Sequence, residues 1–154
     1  MGAGFSRLIV MQTLANELRD EIASATPVLR TFTDADASAG LGSRTWNRKE
    51  LLGHLIDSAA NNHQRIVRAQ LADALVFPGY EQDNWVAAQR YRTRAWSELV
   101  DVWIAFNTQV ASAIESVPET KLVTRCVINA GEPVTLEFLM NDYLRHLRHH
   151  LAQF

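Results

Sequence analysis

Residues 46–70 of the chain read WNRKELLGHLIDSAANNHQRIVRAQ and contain its clearest helix start. Asn47 can cap the free backbone amides of a first turn, and Glu50 can bond back to the cap as in a capping box. Trp46 and Leu51 stand at the spacing of a hydrophobic staple, in which two apolar side chains pack across a helix start. The stretch therefore predicts a long helix, and a helical class for the chain around it.

Other segments repeat the helical signal. Near the start of the chain, apolar residues recur every three or four positions, as expected for a helix that packs on a core; they are Leu8, Met11, Leu14, Ala15, Leu18 and Ile22. Thr135 can cap a last helix, with Val134 and Leu139 in staple positions. Pro118 ends a long apolar segment. The predicted helices cover residue 6 to the 24–27 region, residue 47 to about residue 72, residues 83–91, residues 96–117 and the chain after Thr135.

The segments between these helices are predicted to be irregular. Residues 33–44 are rich in Gly, Ser and Asp and are expected to form a loop. Residues 122–134 are β-prone around Gly131 and allow two interpretations, a loop or a small hairpin. No internal repeat, low-complexity run or interdomain linker interrupts the chain. We therefore expect one domain over residues 1–154, an all-α four-helix bundle with one short extra helix.

Composition limits the class of protein. The chain has 154 residues, of which 47% are hydrophobic and 21% charged, as in globular proteins with a sizeable core. The formal net charge of −2 gives no attraction to nucleic acid or to an anionic membrane, so neither is expected as a partner. The apolar run at residues 8–11 is too short for a signal peptide or a membrane span.

Cys126 is the only cysteine of the chain. A single cysteine excludes an intrachain disulfide and favours a reducing, cytoplasmic compartment. It lies in the alternating apolar stretch LVTRCVIN, where a small buried hydrophobe is the usual role. We expect Cys126 to be neither a metal ligand nor a catalytic residue.

Three histidines lie in the last predicted helix, whose apolar side forms one stripe. That stripe consists of Leu136, Met140, Tyr143, Leu144, Leu147, Leu151 and Phe154. His150 lies roughly 60° from its centre, His146 roughly 100° and His149 roughly 160°, so His149 is predicted to point to solvent. His146 and His150, four residues apart, could present two imidazoles to one metal ion. The alternative is a pair of partly exposed histidines favoured by the dipole at a helix C-terminus.

A metal site needs a further ligand, and residues 46–70 contain two more histidines. One face of that predicted helix carries polar side chains, and we call it the polar stripe: His54, Ser58, Asn61 and Arg65. Residues 51–72 contain neither Lys nor Glu, which are typical of a solvent face, so the polar stripe is predicted to line a cleft. His63 lies towards the apolar side, where a buried, hydrogen-bonded histidine is the usual case. Periodicity favours His54 over His63 only slightly and leaves the choice open.

Three segments in this order resemble a known family, the DinB/YfiT-like superfamily of metal-dependent enzymes. The segments are TWNRKELLGHLIDSAANNHQRIVRAQ at 45–70, FPGYEQDNWV at 77–86 and DYLRHLRHHLAQF at 142–154. The resemblance implies a four-helix bundle, often a homodimer, with a divalent metal near one end, commonly zinc or nickel. Carried over position by position, its ligands are His54, His146 and His150.

The resemblance also implies an enzyme, with a small-molecule substrate or a thiol as its partner. Distant relatives transfer low-molecular-weight thiols such as bacillithiol, mycothiol or glutathione, or act as amidohydrolases, and no motif here chooses between a hydrolase and a thiol transferase. Three neutral imidazoles leave coordination positions open, and such a metal can lower the pKa of a bound water to about 7 or bind a thiol as thiolate. The other class of function is a non-catalytic metal-binding or stress-related helical-bundle protein. A concave cleft over the open positions would favour the enzyme.

Three further residues are candidates for roles around the metal. Asp57, one turn after His54, is predicted to be a general base or a partner of the ligands, and the alternative is a surface carboxylate. Tyr80 and Trp85 are predicted to line the substrate pocket, and the alternative is aromatic packing under a loop.

Overall fold

Four long helices and two short ones make up most of the computed structural model, which describes residues 3–42 and 45–154. In chain order the helices are α1 (Ala3–Thr31), α2 (Asp34–Ser38), α3 (Arg48–Gln70), α4 (Gln82–Gln89), α5 (Trp96–Glu115) and α6 (Leu136–Leu151). Single 3₁₀ turns lie at Tyr91–Thr93 and Glu119–Lys121. The predicted all-α four-helix bundle is confirmed, with α4 as its short extra helix. Within the described ranges no helix combines the length and apolar composition that crossing a membrane would need.

A single apolar core lies between the four long helices. α5 packs against both α1 and α3, and α6 packs against α3 and α1. Trp103 of α5 is fully buried, and Leu18 of α1 and Leu52 of α3 are buried as completely. Burial of one leucine side chain stabilises the folded state by roughly 1.5–3 kcal/mol. This core therefore fixes the relative positions of α3 and α6, the two helices that carry the candidate ligands.

The start of α3 has the capping box predicted for it. The Glu50 amide donates to Asn47 Oδ1, and the Asn47 amide donates to Glu50 Oε2, each over 3.0 Å. At the start of α6, the Phe138 amide donates to Thr135 Oγ1 over 3.1 Å, so the predicted cap at Thr135 is also present. Because both ligand helices begin at fixed caps, the rotational positions of their side chains are fixed with them.

α1 continues past Pro27, beyond its predicted end in the 24–27 region. Proline removes a backbone hydrogen bond from a helix interior. Within this part of α1, the Thr26 hydroxyl donates to the Ile22 carbonyl over 2.6 Å. Leu29 is only 1% exposed, and its carbonyl accepts a hydrogen bond from Trp96 Nε1 over 2.8 Å. Tertiary packing of the last turn therefore outweighs the helix-breaking tendency of the proline.

The predicted loop over residues 33–44 contains a helix, α2, which corrects that prediction. The Thr33 hydroxyl accepts from the Asp36 amide over 3.1 Å, and Asp36 accepts from the Thr33 amide, so α2 has its own capping box. Ala37 is fully buried, which anchors this short turn on the bundle. Residues 43 and 44 of the predicted loop lie outside the described residues.

A small sheet lies beside the helices, with strand order β1 (Ala74–Phe77), β2 (Arg125–Ile128) and β3 (Val134–Thr135). β2 and β3 are antiparallel, so the hairpin interpretation of residues 122–134 is the correct one. β1 is parallel to β2, with Leu75 opposite Cys126, and was not predicted. A four-residue apolar run gives too short a pattern to identify a strand without its distant partner. The Asn129 amide donates to the Phe77 carbonyl over 2.8 Å and extends this connection into the loop after β1.

Candidate metal centre

Three histidines from two helices converge at one point of the bundle. They are His54 of α3 and His146 and His150 of α6, and we call them the three-histidine cluster. One ring nitrogen from each lies within 4.8 Å of the other two. The Nε2 atoms of His54 and His146 are 3.2 Å apart. Two nitrogens bound to one tetrahedral zinc ion at 2.0–2.1 Å would be about 3.3–3.4 Å apart, so this spacing suits a shared ion.

The imidazole rings of the cluster are held edge to face. The ring centroids of His146 and His150, one helical turn apart, are separated by 4.5 Å. The His54 ring lies 5.1 Å from the first and 4.9 Å from the second. His54 is only 2% exposed, and the Trp46 ring packs 5.1 Å from it. The side chain just before the α3 cap thus covers the buried ligand.

Burial keeps the imidazoles of His54 and His146 neutral. It lowers the pKa of His54 from 6.5 to about 4, and the nearby rings of His146 and His150 add to the effect. Burial likewise lowers the pKa of His146 to about 4, with a further contribution from His150. A metal binds the neutral form of imidazole, so the environment favours the protonation state that a ligand needs.

The second ring nitrogens of the cluster differ in their surroundings. The Nδ1 atom of His150 lies 3.2 Å from the Gln153 side-chain amide. The Nδ1 atoms of His54 and His146 are buried, and neither has a hydrogen-bond partner among the described residues. Metal-bound histidines usually donate their second N–H to a protein acceptor. The Gln153 atom beside His150 is the amide nitrogen Nε2, a hydrogen-bond donor, so Gln153 does not fill that acceptor role in this orientation. The three convergent ring nitrogens nevertheless form a donor set that suits a divalent ion.

The other two histidines stand outside the cluster. His149 is exposed, as predicted, although its ring lies 5.1 Å from that of His150. His63, for which a buried position was expected, is half-buried and lines a separate cavity near Val67 and Gln109. The structure thus brings together the three predicted ligands and leaves out the two histidines predicted to lie elsewhere.

Asp57 is a buried carboxylate, only 1% exposed, so the surface alternative for this residue is wrong. Its Oδ1 atom accepts from the Tyr91 hydroxyl over 2.6 Å and from Gln89 Nε2 over 3.0 Å. Its Oδ2 atom is buried without a partner among the described residues. Burial raises the pKa of Asp57, and the hydrogen bonds from Tyr91 and Gln89 oppose the rise. One oxygen of the carboxylate is thus anchored by two donors, while the other is not.

Tyr91 reaches Asp57 because α3 has a glycine in front of its ring. A Cβ atom placed on Gly53 would lie 2.1 Å from Tyr91 Cδ2, far inside van der Waals contact. Tyr91 itself is only 2% exposed. Position 53 therefore requires glycine, since the Tyr91 ring occupies the space that a side chain would take.

A cavity of about 380 Å³ adjoins the cluster. It is lined by Leu41, Thr45, Trp46, Leu51, Gln82, Asp83 and Gln153. Trp46 packs on His54 and Gln153 contacts His150, so the cavity and the candidate ligands share a wall. The lining mixes apolar and hydrogen-bonding side chains, as small-molecule sites do.

Tyr80 and Trp85 are not among the residues that line this cavity. Their rings pack on each other with centroids 4.8 Å apart, and Trp85 is 38% exposed. Tyr80 is half-buried beside the polar stripe. Burial raises its pKa, and the nearby charge of Arg65 and a hydrogen bond with Ser58 oppose that rise. Of the two aromatic residues, only Tyr80 thus faces the polar interior.

Sequence reasoning missed several residues of this region. Gln153 follows His150 by three positions, a helical spacing that could have identified it. Tyr91 and Gln89 lie at the end of the short predicted helix, and nothing in their spacing indicates a contact with Asp57. The sequence pattern predicts a staple for Trp46 and gives no sign that its ring also covers His54.

Comparison with known proteins gives a family and two similar structures. The sequence model of the DinB superfamily matches residues 11–154. YfiT from Bacillus subtilis, described as a probable metal-dependent hydrolase with an unusual four-helix bundle topology, aligns with a TM-score of 0.81 at 17% identity, covering 93% of this chain and 82% of that one. The mycothiol-dependent maleylpyruvate isomerase aligns with a TM-score of 0.75 at 15% identity. The alignment covers 95% of this chain but only 60% of the isomerase. No curated protein matches the sequence.

Proposed function

The chain belongs to the DinB superfamily, and on that premise we propose that it is a metal-dependent enzyme acting on a small molecule. The observation that carries the proposal is the convergence of three histidine nitrogens within 4.8 Å of one another. His54, His146 and His150 would hold one divalent ion, zinc or nickel. Three neutral nitrogen ligands suit either metal.

The chemistry proposed first is hydrolysis. A divalent ion held by three imidazoles supplies Lewis-acid chemistry, because it polarises a substrate oxygen and lowers the pKa of a water or thiol bound to it. The protein supplies the dry surroundings that strengthen such polarisation, since Trp46 covers His54 on the side of the cavity. The alignment with YfiT supports this reaction through fold alone.

Asp57 is the residue proposed to accept the proton that hydrolysis releases. It lies three residues after His54 on α3, about 4.5 Å further along the helix axis. Tyr91 and Gln89 hold Oδ1, so the unpartnered Oδ2 would take the proton. The raised pKa of the buried carboxyl suits a base that must hold a proton during turnover.

The substrate is proposed to enter through the cavity beside Trp46 and Gln153. Its volume of about 380 Å³ suits a small molecule rather than a macromolecule. Gln82 and Asp83 of α4 line this cavity and would orient polar groups of the substrate. Dimerisation and a cytoplasmic location remain predictions from the resemblance and from cysteine usage, and light scattering of the purified protein tests the first.

Thiol transfer is the second candidate reaction, and the alignment with a mycothiol-dependent enzyme favours keeping it. It would use the same three histidines, with a low-molecular-weight thiol in the cavity in place of water. Asp57 would then accept the thiol proton. The two reactions differ in co-substrate, so a substrate screen separates them.

The experiment that tests the proposal combines metal analysis with a screen of the metal-loaded protein. The panel contains amide and ester substrates, and electrophiles supplied with and without a thiol. We expect Asp57→Asn to retain metal and lose turnover, because the amide is similar in size but does not accept the proton. Metal-loaded protein with no turnover on any member would favour the non-catalytic metal-binding protein. Full activity in Asp57→Asn would remove Asp57 from the proposed mechanism.

A further inference from the structure

Arg65, the last residue of the polar stripe, is a half-buried arginine without an ionic partner among the described residues. Its Nε atom is buried, and no described residue accepts a hydrogen bond from it. Its Nη1 atom reaches only Asn62 Oδ1, at 3.5 Å, which is the outer limit of a hydrogen bond. No described carboxylate forms an ion pair with it. The arginines that do form such pairs are Arg19, Arg30, Arg92, Arg94, Arg145 and Arg148.

The surroundings of this guanidinium make the lack of a counterion costly. Its central carbon lies 5.4 Å from the Phe77 ring centroid, and Tyr80 is close enough to interact electrostatically. Burial lowers the pKa of Arg65, yet a guanidinium remains charged in proteins. Removing part of a charge from water costs free energy unless a partner compensates it. The five N–H donors of Arg65 are therefore largely free for an acceptor that the described residues do not supply.

The position of Arg65 connects it with the three-histidine cluster. It follows His54 by eleven residues, which returns to within about 20° of the same helix face, roughly 16 Å along the axis. Between them on that face lie Ser58 and Asn61, which are 4% and 8% exposed. The polar stripe thus runs as one buried polar surface from the candidate ligands to Arg65.

We propose that Arg65 is an anion-binding residue that takes the carboxylate or phosphate group of a small molecule. The Phe77 ring lies against the guanidinium, and all five N–H groups lie in the guanidinium plane, so an acceptor must approach in that plane. Carboxylate and phosphate oxygens match this fork with two parallel hydrogen bonds. The anion-binding role of Arg65 rests on the contacts of Arg65 alone. The further step, that the bound anion is part of the substrate, rests on the proposed function.

The direct test observes the Nε–H group of Arg65 by ¹H–¹⁵N NMR in the full, metal-loaded chain. The signal is assigned by its disappearance in Arg65→Lys. Sodium acetate and sodium phosphate are added in separate titrations, with sodium chloride holding the ionic strength constant. We expect a saturable shift of the Arg65 signal with at least one of the two, and the responding anion identifies the group that binds. The proposal would be overturned if the Arg65 signal shifted linearly with the concentration of both anions and by the same amount as the Nε–H signal of exposed Arg68.

A matched pair of variants gives an independent measurement. Arg65→Gln and Arg68→Gln remove the same charge from α3 one turn apart, and the Arg68 side chain bonds only to Gln64 among the described residues. The measured quantity is the increase in the free energy of unfolding that the responding anion produces. We expect this increase to vanish in Arg65→Gln and to persist in Arg68→Gln. If Arg65→Gln does not fold, Arg65→Lys replaces it in the test, because lysine keeps the charge without the planar fork. The affinity of Arg65→Lys for the anion should fall at least about tenfold. Unchanged anion affinity in Arg65→Lys would contradict a bidentate site.

Metal content separates this inference from the proposed function. We expect Arg65→Gln to bind metal in the same ratio as the unsubstituted chain, since Arg65 stands apart from the three histidines. In His146→Ala the Arg65 Nε–H signal should still respond to the anion. Loss of metal in Arg65→Gln would show that Arg65 supports the metal centre instead of binding an anion.

Discussion

The Nε2 atoms of His54 and His146 lie 3.2 Å apart, although 92 residues separate them in the chain. Both rings are neutral, because burial lowers each pKa to about 4. Two imidazolium ions at this distance would repel each other strongly. The packing of α6 on α3 therefore holds these two nitrogen atoms at a distance that neutral rings tolerate. At this distance the two atoms can share either a proton or a metal ion.

Alanine substitutions at the histidines should divide into two groups. His146→Ala and His150→Ala should abolish stoichiometric zinc or nickel, because two remaining imidazoles are too few for a stable site. His149→Ala is the matched control on the same helix, since its ring is exposed, and it should retain metal. Elemental analysis of the purified variants measures the ratio. Equal loss at His149 and His150, or full retention in His54→Ala, would disprove the assignment.

The metal-free protein should lose stability as the pH falls below the ordinary histidine range. The folded-state pKa of His54 and of His146 is about 4, below the unfolded value of 6.5. Between these values the unfolded chain binds more protons than the folded chain, so acid favours unfolding, and the effect levels off below pH 4. Urea denaturation of chelated protein across that window measures the slope. His146→Gln should make the free energy of unfolding depend less steeply on pH, and His149→Ala is the control. Equal slopes in the two variants would contradict a lowered pKa for His146.

Gly53→Ala should destabilise the fold and disturb the neighbourhood of Asp57. The new Cβ would lie 2.1 Å from the ring of buried Tyr91, and overpacking of this kind typically costs roughly 1–3 kcal/mol. Gly40→Ala is the control, because no atom lies within 4 Å of its added Cβ. Chemical denaturation gives both free energies of unfolding. Equal values for the two variants would mean that Tyr91 moves aside freely.

Cys126→Ala should leave metal content and turnover unchanged. Cys126 is fully buried in β2, its Sγ atom lies 3.4 Å from the Thr124 carbonyl, and it stands outside the three-histidine cluster. Loss of the sulfur should lower the free energy of unfolding by about 1 kcal/mol, the value of one buried methylene-sized group. Denaturation and elemental analysis check the two parts. Metal lost from this variant would give the thiol a role that its position does not suggest.

Local signals predicted the helices well and the remaining structure less well. The caps at Asn47 and Thr135 depend on residues three positions apart, so the sequence shows both partners at once. β1 forms because β2 lies beside it, and α1 passes Pro27 because Leu29 is buried. Those causes act between residues far apart in the chain, where periodicity has no information.

The candidate site shows the same division. Helical angles placed His146 and His150 at the edge of the core and His149 in solvent. They could not choose between His54 and His63, because that choice depends on which face of α3 meets α6. Family resemblance supplied the choice. The hydrogen bonds of Asp57 could not be predicted, since Tyr91 and Gln89 approach it from beyond the end of α3.

The parallel pairing of β1 with β2 has a consequence for the order of folding. α4 and α5 lie between the two strands in the chain, so a long loop must close before any hydrogen bond of the pair forms. We expect α3 and α5 to associate first and the sheet to form after the main kinetic barrier. Leu75→Ala should then speed unfolding much more than it slows refolding, which stopped-flow measurements in urea can resolve. The segment after β1, with Tyr80 beside the polar stripe, would be among the last parts of the molecule to take its place.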